Sequence, residues 1–381
     1  MLIHSILPRN FRNLAPVQLE FADGVNFISG GNGQGKTNLL ESIYWLISLR
    51  GKRGTTQDAV KKGEREFSLE GALTFGDLRH KVELAVEDRS KRLLIDGVAP
   101  ARRREYLENV LVVDFFPEDL LILLMEPAPR RRFLDLACAQ YYLPHEEVLR
   151  RYKRVLEQRN ELLKTPGRPD PRLLDSFDEP FADLASKVTL MRLELLEKLG
   201  NRTDEIFREG IGEKCEASLF YIPTTQGIPA EVSGDSMPGP EALKDLYVDA
   251  VRKARGRDIE AGRSTVGPHR DDWGMSLDGK PVRSFASRGE TRSAMFALHL
   301  ARFHVLTEKR GIKPVVLIDD VMSELDSDRR ARVMELLPSG QVFLTSCDPP
   351  CPADGVVVGE STHFVMEGGK AERVVGGRSS R

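Results

Sequence analysis

The stretch "NFISGGNGQGKTNLLESIYWLI", Asn26–Ile47, decides how this chain is read. Within it, Gly30-Gly31-Asn32-Gly33-Gln34-Gly35-Lys36-Thr37 satisfies G-x-x-x-x-G-K-[ST] at each defined position. Val25–Ser29 reads as a short apolar strand running into the glycines. Thr37–Leu49 reads as a helix with Leu39, Leu40, Ile43 and Ile47 on its buried side. Glycines suit a loop whose backbone N–H groups must approach phosphate oxygens with no Cβ in between. A helix N-terminus adds donors and partial positive charge. In that arrangement Gly30, Asn32, Gly33, Gln34, Gly35 and Asn38 line a bound nucleotide. Lys36 reaches its β- and γ-phosphates, and Thr37 ligates Mg²⁺. The alternative, a glycine-rich turn with an incidental lysine, has to explain strand, loop and helix in the right order.

A phosphate clamp does not say what the nucleotide is for, and its complement lies far downstream. In "KPVVLIDDVMSELDSD" (Lys313–Asp328), Val315–Ile318 run into Asp319-Asp320. A carboxylate at the C-terminal end of a buried strand beside a P-loop is where a Mg²⁺-associated acid belongs, which assigns Asp319. Asp320 is then placed to orient and polarise an attacking water. An Asp pair that merely caps the following turn is the competing reading. Upstream, "SFASRGETRSAMFALHLARF" (Ser284–Phe303) carries a glycine-bearing turn, Ser287-Arg288-Gly289-Glu290, before an amphipathic helix. Ser287 and the backbone N–H of Gly289 form a second anion receptor, most useful across a dimer interface. An ordinary helix cap is the alternative there.

The rest of the sequence frames these motifs. With 381 residues, 40% hydrophobic and 30% charged, the chain has room for two domains or one domain with a large insertion. There is no basic-then-apolar leader and no apolar run long enough to span a bilayer, which points to the cytoplasm and to no membrane partner. Of Cys138, Cys215, Cys347 and Cys351, only the last two lie close together, in "CDPPC", so idle thiols suit the spacing better than zinc. The net charge of −2 means that nucleic acid would have to meet local basic patches such as the triple-arginine runs Arg102–Arg104 and Arg130–Arg132. Candidates are Arg50, Lys52 and Arg53 after the P-loop helix, Arg130 and Arg131 of the Arg130–Arg132 run, and Arg270. Solvated helix faces are the plainer reading of such runs.

The predicted fold class is α/β: a P-loop head with an antiparallel β meander and an inserted helical domain. "FSLEGALTF", "HKVELAVED" and "KRLLIDGVAP" alternate at period two, with a turn at Asp96-Gly97. Residues 1–115 and 268–370 make up the discontinuous head, 116–267 the helical insertion, and 371–381 a frayed tail. Inside the insertion, Leu149, Tyr152, Leu156 and Leu163 form one stripe, and Leu184, Val188, Met191 and Leu195 another. "TPGRPDP" (Thr165–Pro171) turns the chain between them. Either a projecting helical hairpin or two helices packed on the body accounts for the pattern.

The order of P-loop, long insertion, Ser-Arg-Gly-Glu turn, Asp-Asp strand and "SELD" resembles the ABC-type (SMC-like) ATPases. Within them it resembles the branch with helical insertions that acts on DNA. The resemblance is carried by "NFRN" (Asn10–Asn13), "GNGQGKTNLLESI" (Gly31–Ile43), "FPEDL" (Phe116–Leu120) and "PAPRRRFLD" (Pro127–Asp135). "GPHRDD" (Gly267–Asp272), "SRGETR" (Ser287–Arg292) and "LIDDVMSELD" (Leu317–Asp326) complete it, so it spans residues 10–326. It implies an ATPase with Mg²⁺, an ATP-dependent homodimer, and binding to duplex DNA and single-strand gap junctions in recombinational repair and replication. RecO- and RecR-like mediators that assist RecA loading are the implied partners. Carried onto this chain, Lys36 and Thr37 become the P-loop pair, Asp319 the Mg²⁺-side acid and Asp320 the hydrolytic base. Ser287 and Gly289 contact the partner's ATP, and Asp326 is the acid near the interface.

The pattern departs from transporter ATPases at Arg288, Glu290 and Asp320, and at Thr345-Ser346-Cys347, where a switch histidine is expected. No Q-loop glutamine is evident, and Glu118 occupies the corresponding region. The differences at the signature, the base position and the switch position imply slow turnover, and the resemblance implies that DNA stimulates it. A transporter-coupled ATPase subunit and a scaffold that holds nucleotide without hydrolysing it are the rival functions.

Overall fold

The computed structural model describes residues 1–88, 90–165, 170–211, 214–231, 237–320, 331–332, 334–348 and 361–374. They form two compact units, Met1–Asp119 with Leu306–Arg381, and Leu120–Val305. The first unit begins with β1 (Leu2–Arg9), β2 (Leu19–Glu20), β3 (Val25–Ser29) and α1 (Lys36–Ser48). It continues through β4 (Glu66–Phe75), β5 (Leu78–Glu87), β6 (Ser90–Ile95), α2 (Arg103–Leu107) and β7 (Val112–Phe115). The period-two alternation that predicted the meander is seen as buried residues at every second position of β4. β4, β5 and β6 pair antiparallel in sequence, and β1 and β2 extend the sheet in the order β2-β1-β4-β5-β6.

The second unit contains α3 (Leu120–Leu124), α4 (Pro127–Tyr141), α5 (His145–Leu163), α6 (Pro171–Glu205), β8 (Ala217–Ile222) and α7 (Pro240–Ala261). β9 (Asp272–Leu277), β10 (Lys280–Pro281), α8 (Val282–Phe285) and α9 (Arg288–Arg310) follow, α9 running past the boundary at Val305. α6 is 35 residues long, about 50 Å at the α-helical rise, and it packs on α5, α7 and β8. It buries Leu174, Phe181, Leu184, Val188, Leu195 and Leu199. Helices that cover each other this fully are a bundle core, so the packed arrangement holds and the projecting hairpin does not.

The expected return to the head at 268 is also corrected. β9 pairs antiparallel with β8 along its whole length, which keeps residues 272–277 and most of α9 in the helical unit. The first boundary falls after Asp119 instead of 115.

Back in the first unit, β11 (Val315–Ile318), β12 (Val342–Ser346), β13 (Ser361–Glu367) and β14 (Lys370–Arg373) complete a six-stranded sheet, β14-β13-β3-β12-β11-β7. β3, β7, β11, β12 and β13 pair parallel, and only β14 runs antiparallel. Buried on both faces, β7 and β11 read as continuous apolar runs with one exception, Asp114. The expected frayed tail from 371 is corrected at its start, since Ala371–Arg373 pair in β14, and the rest of that expectation, residues 375–381, lies outside the described residues. Parallel pairing puts the C-terminal ends of β3, β11 and β12 side by side, which is where an open α/β sheet presents its ligand site.

Candidate nucleotide-binding site

β3 ends at Ser29 and α1 begins at Lys36, with Gly35 as N-cap in the left-handed region. Gly30, Gly33 and Gly35 all have positive φ, at 147°, 77° and 108°. At Gly30 a Cβ would lie 2.5 Å from the Met366 carbonyl oxygen, so close approach as well as φ requires glycine there. The loop is braced by groups distant in sequence. Gly368 N donates to Gln34 Oε1 at 2.7 Å and Gly369 N to Gln34 O at 3.0 Å. Asn38 Nδ2 donates to Asn13 Oδ1 at 2.8 Å, and Asn13 reaches back to Gly33 O. The Lys36 ammonium donates to Gly30 O at 2.5 Å and Gly31 O at 3.0 Å, over the mouth of the loop.

Thr37 Oγ1 donates to Asp319 Oδ2 at 2.7 Å and lies 3.0 Å from Oδ1, so the first residue after the P-loop lysine and the first carboxylate after β11 meet directly. Asp319 is buried, and burial pushes its carboxyl above the usual range. Hydrogen bonds from Thr345 and Thr37 and the charge of Arg53 oppose that shift, while Asp320 adds to it. A hydroxyl beside a buried, penalised carboxylate is a hard-oxygen pair that suits Mg²⁺, and Thr37 and Asp319 are the residues that would hold it. Asp320 follows in the left-handed region, at φ 47°, which Asp tolerates better than most side chains. Its backbone N donates to Thr345 Oγ1 at 2.9 Å. Beyond β12, Cys347 stands where a switch histidine was expected. Its thiol donates to Asn32 Oδ1 at 3.1 Å and lies 3.8 Å from Lys36 Nζ.

In the helical unit, Ser287 caps α9. Ser287 N donates to Glu290 Oε2 at 2.7 Å and Glu290 N to Ser287 Oγ at 3.2 Å, a reciprocal capping box. The ordinary helix-cap reading is therefore realised. Ser287 and Arg288 are exposed, and Gly289 is half-buried. Asp326 lies outside the described residues.

The basic candidates divide. Lys52 is corrected: its ammonium is bound by Asp114 and by Asp119 at 2.7 Å, and these charges outweigh burial to raise its pKa. Arg130 is corrected too, being buried and forked onto Asp272 at 2.8 and 2.6 Å, with Met125 O at 2.7 Å. Arg131 donates to Asp271 O at 3.0 Å and Arg53 to Glu118 Oε1 at 2.9 Å. The "GPHRDD" turn is chiefly structural. Asp271 accepts from Tyr221 and Thr224, and His269 Nδ1 meets Tyr152 OH at 2.6 Å, while Arg270 is exposed.

Sequence reasoning missed Thr345 as a site residue and Lys91. Lys91 Nζ donates to Leu49 O at 2.8 Å, 4.9 Å from the Trp45 ring centroid, and burial followed by the charges of Arg103 and Arg50 depresses its pKa. Arg103 donates to Lys91 O. Cations close enough to perturb one another, with backbone carbonyls as their described acceptors, mark a positive patch around Arg50. Arg103 comes from the basic run Arg102–Arg104, but Arg50 and Lys91 lie strands away in sequence, so the run alone does not reveal the patch.

Residues 2–352 match the family described as RecF/RecN/SMC N terminal domain. Over 378 residues the chain is 32% identical to the DNA replication and repair protein RecF of Listeria innocua serovar 6a, covering 98% of this chain and 100% of that one. The protein of the same name from Lactobacillus delbrueckii subsp. bulgaricus is 31% identical over 371 residues, 96% of each chain. Among solved structures, the recombination mediator protein RecF with ATP in the RecFOR pathway aligns with a TM-score of 0.87 at 31% identity, over 98% of both chains. An Smc head bound to the C-winged helix domain of ScpA, at 15% identity and a TM-score of 0.54, shares the fold. Identity of this extent over nearly the whole length of both chains, together with the family match over residues 2–352, shows that the chain belongs to the RecF family of DNA replication and repair proteins.

Proposed function

We propose that the protein is an ATP-gated DNA clamp of recombinational repair. Its nucleotide site is completed across two copies, and slow hydrolysis releases the clamp. The observation that carries this reading is the hydrogen-bonded set Thr37–Asp319–Thr345–Asp320 at the end of β11. It provides a Mg²⁺-side acid and a neighbouring carboxylate fixed by its own backbone. Lys36 neutralises β- and γ-phosphate charge, the loop N–H groups hold the phosphates, and Asp320 orients the water. Ser287 of a second copy supplies a hydroxyl and the N-terminus of α9 to the γ-phosphate, so ATP favours the closed dimer.

Duplex DNA and single-strand gap junctions are the ligands that suit a phosphate-reading surface on the first unit, with Arg50, Lys91 and Arg103 as contacts. By kinship, RecO- and RecR-like mediators are the partners, and assistance to RecA loading is the outcome. Hydrolysis is expected to be stimulated by DNA. The test is sedimentation with and without Mg²⁺-ATP and duplex DNA, using wild type, Lys36→Arg and Asp320→Asn. ATP should dimerise the wild type, Lys36→Arg should blunt that response, and Asp320→Asn should trap a dimer on DNA. A monomer–dimer balance indifferent to ATP sinks the clamp, and DNA-independent, vanishing turnover would favour a nucleotide-bound scaffold.

A further inference from the structure

Cys347 leaves the sheet beside the P-loop. β12 pairs parallel with β3, Ser346 opposite Ser29, so the first residue past each strand, Cys347 and Gly30, emerges at the same level. The half-buried Cys347 thiol donates to Asn32 Oδ1 at 3.1 Å and lies 3.8 Å from Lys36 Nζ. Lys36 itself is only 7% exposed, and its ammonium turns to this same mouth of the loop. Sulfur, amide and ammonium therefore border one point, where the loop glycines leave room for phosphate. Two other described cysteines are placed differently. Cys138 is wholly buried, and burial pushes its thiol pKa well up, which leaves it inert, while Cys215 belongs to the helical unit.

We propose that Cys347 is a thiol-modification site whose occupant excludes nucleotide, the modifying group coming from a low-molecular-weight disulfide. The inference rests on the proposed use of this pocket for ATP. A phosphate oxygen accepted by Lys36 sits ~2.7–2.9 Å from its nitrogen, inside the 3.8 Å that separates that nitrogen from the sulfur. A cap on the thiol begins only ~2.05 Å from Sγ, so a cap filling the loop mouth and a phosphate on Lys36 compete for the same space. The exchange balances without any further reactant. The Cys347 sulfur gives up its proton and attacks one sulfur of the disulfide, the reagent's S–S bond breaks, and a mixed disulfide forms. The departing sulfur leaves as a thiolate and takes up the proton, so Cys347 is oxidised and the departing thiol reduced. A partly exposed sulfur beside a cation is the setting in which such exchange is selective. Dithiol reductants reverse it, which makes the block a switch.

The experiment treats the full chain with hydroxyethyl disulfide, maps the adducts by peptide mass spectrometry and titrates a fluorescent ATP analogue with Mg²⁺. Cys347 should be capped, and ATP at ten times its dissociation constant should slow the capping about tenfold, as mutually exclusive binding requires. The capped chain should lose nucleotide binding and regain it with dithiothreitol, its circular dichroism unchanged throughout. Cys347→Ser, whatever its own affinity, should titrate alike with and without the reagent. Cys215→Ser and Cys351→Ser, the latter outside the described residues, should stay sensitive. An uncapped Cys347, capping undiminished under saturating ATP, or full nucleotide binding by the capped chain overturns the switch and leaves the nucleotide site standing. Sensitivity that survives in Cys347→Ser, or that is lost in Cys351→Ser, overturns it as well. A wild type that binds no nucleotide before treatment overturns both.

Discussion

The Thr345 hydroxyl donates to Asp319 Oδ1 at 2.7 Å and accepts from Asp320 N at 2.9 Å, tying two adjacent carboxylate-bearing residues to one fully buried side chain. β12 and β11 pair parallel, and that register carries Thr345 past the end of β11 to the Asp pair. Thr345→Val keeps the shape and removes both bonds. It should cost roughly 1–3 kcal/mol of stability and lower ATP turnover on the order of tenfold. Nucleotide affinity should change little, because Lys36 and the loop are untouched. Thr345→Ser should restore most of the turnover. Equal turnover in the valine and serine variants would deny Thr345 this positioning role.

Two glycines of the P-loop separate steric from conformational demands. Gly30 combines a φ of 147° with a Met366 carbonyl oxygen 2.5 Å from where a Cβ would stand. Gly33 has φ 77° and nothing within 4 Å of its Cβ position. Gly30→Ala should therefore destabilise the head by about 2 kcal/mol or more and abolish nucleotide binding. Gly33→Ala should cost about 1 kcal/mol and weaken binding only in part. Thermal unfolding and nucleotide titration of the two variants check the order, and equal costs at the two positions would deny the Met366 carbonyl its steric demand.

What the sequence disclosed was local, and what it hid was long-range. The P-loop and the Asp319-Asp320 strand are short motifs whose residue types follow from phosphate and metal chemistry, so a single stretch suffices to read them. A basic side chain is legible only with its partner, and Lys52 finds Asp114 and Asp119, Arg130 finds Asp272, far along the chain. The same holds for the domain boundary, since nothing near residue 272 announces that β9 will pair with β8. A helical stripe such as Leu184–Val188–Leu195 says that a face is covered, not by which helix.

The Arg50, Lys91 and Arg103 cluster predicts how DNA affinity responds to salt. Arg50→Ala and Arg103→Ala should each weaken duplex binding without regard to sequence. Each should also flatten the slope of log K against log salt by about 0.9 for every phosphate the protein no longer neutralises. Lys52→Ala should instead lower stability, because it strands Asp114 and Asp119 in the interior. Filter-binding or anisotropy titrations across a salt series distinguish the two behaviours. An unchanged slope in both arginine variants removes the patch from the DNA surface.

His269 gives the helical unit a pH dependence of defined sign. Burial lowers its pKa from the ordinary 6.5 to about 4, the Ser264 carbonyl acting against that shift and Arg270 and Arg131 with it. The ring bridges Tyr152 OH and Ser264 O, so the fold holds it neutral. A depressed histidine pKa means that the unfolded chain takes up the proton first. Stability is fully present above about pH 6.5 and is lost as pH falls toward 4, by on the order of 2 kcal/mol at pH 5. Asp271, raised chiefly by burial, has the opposite sign, so the histidine share must be taken as a difference. His269→Gln should be less stable than wild type at pH 7.5, and the gap should narrow as pH drops to 5. Denaturant unfolding at the two pH values measures it, and a gap independent of pH would mean that His269 titrates alike in the folded and unfolded chain.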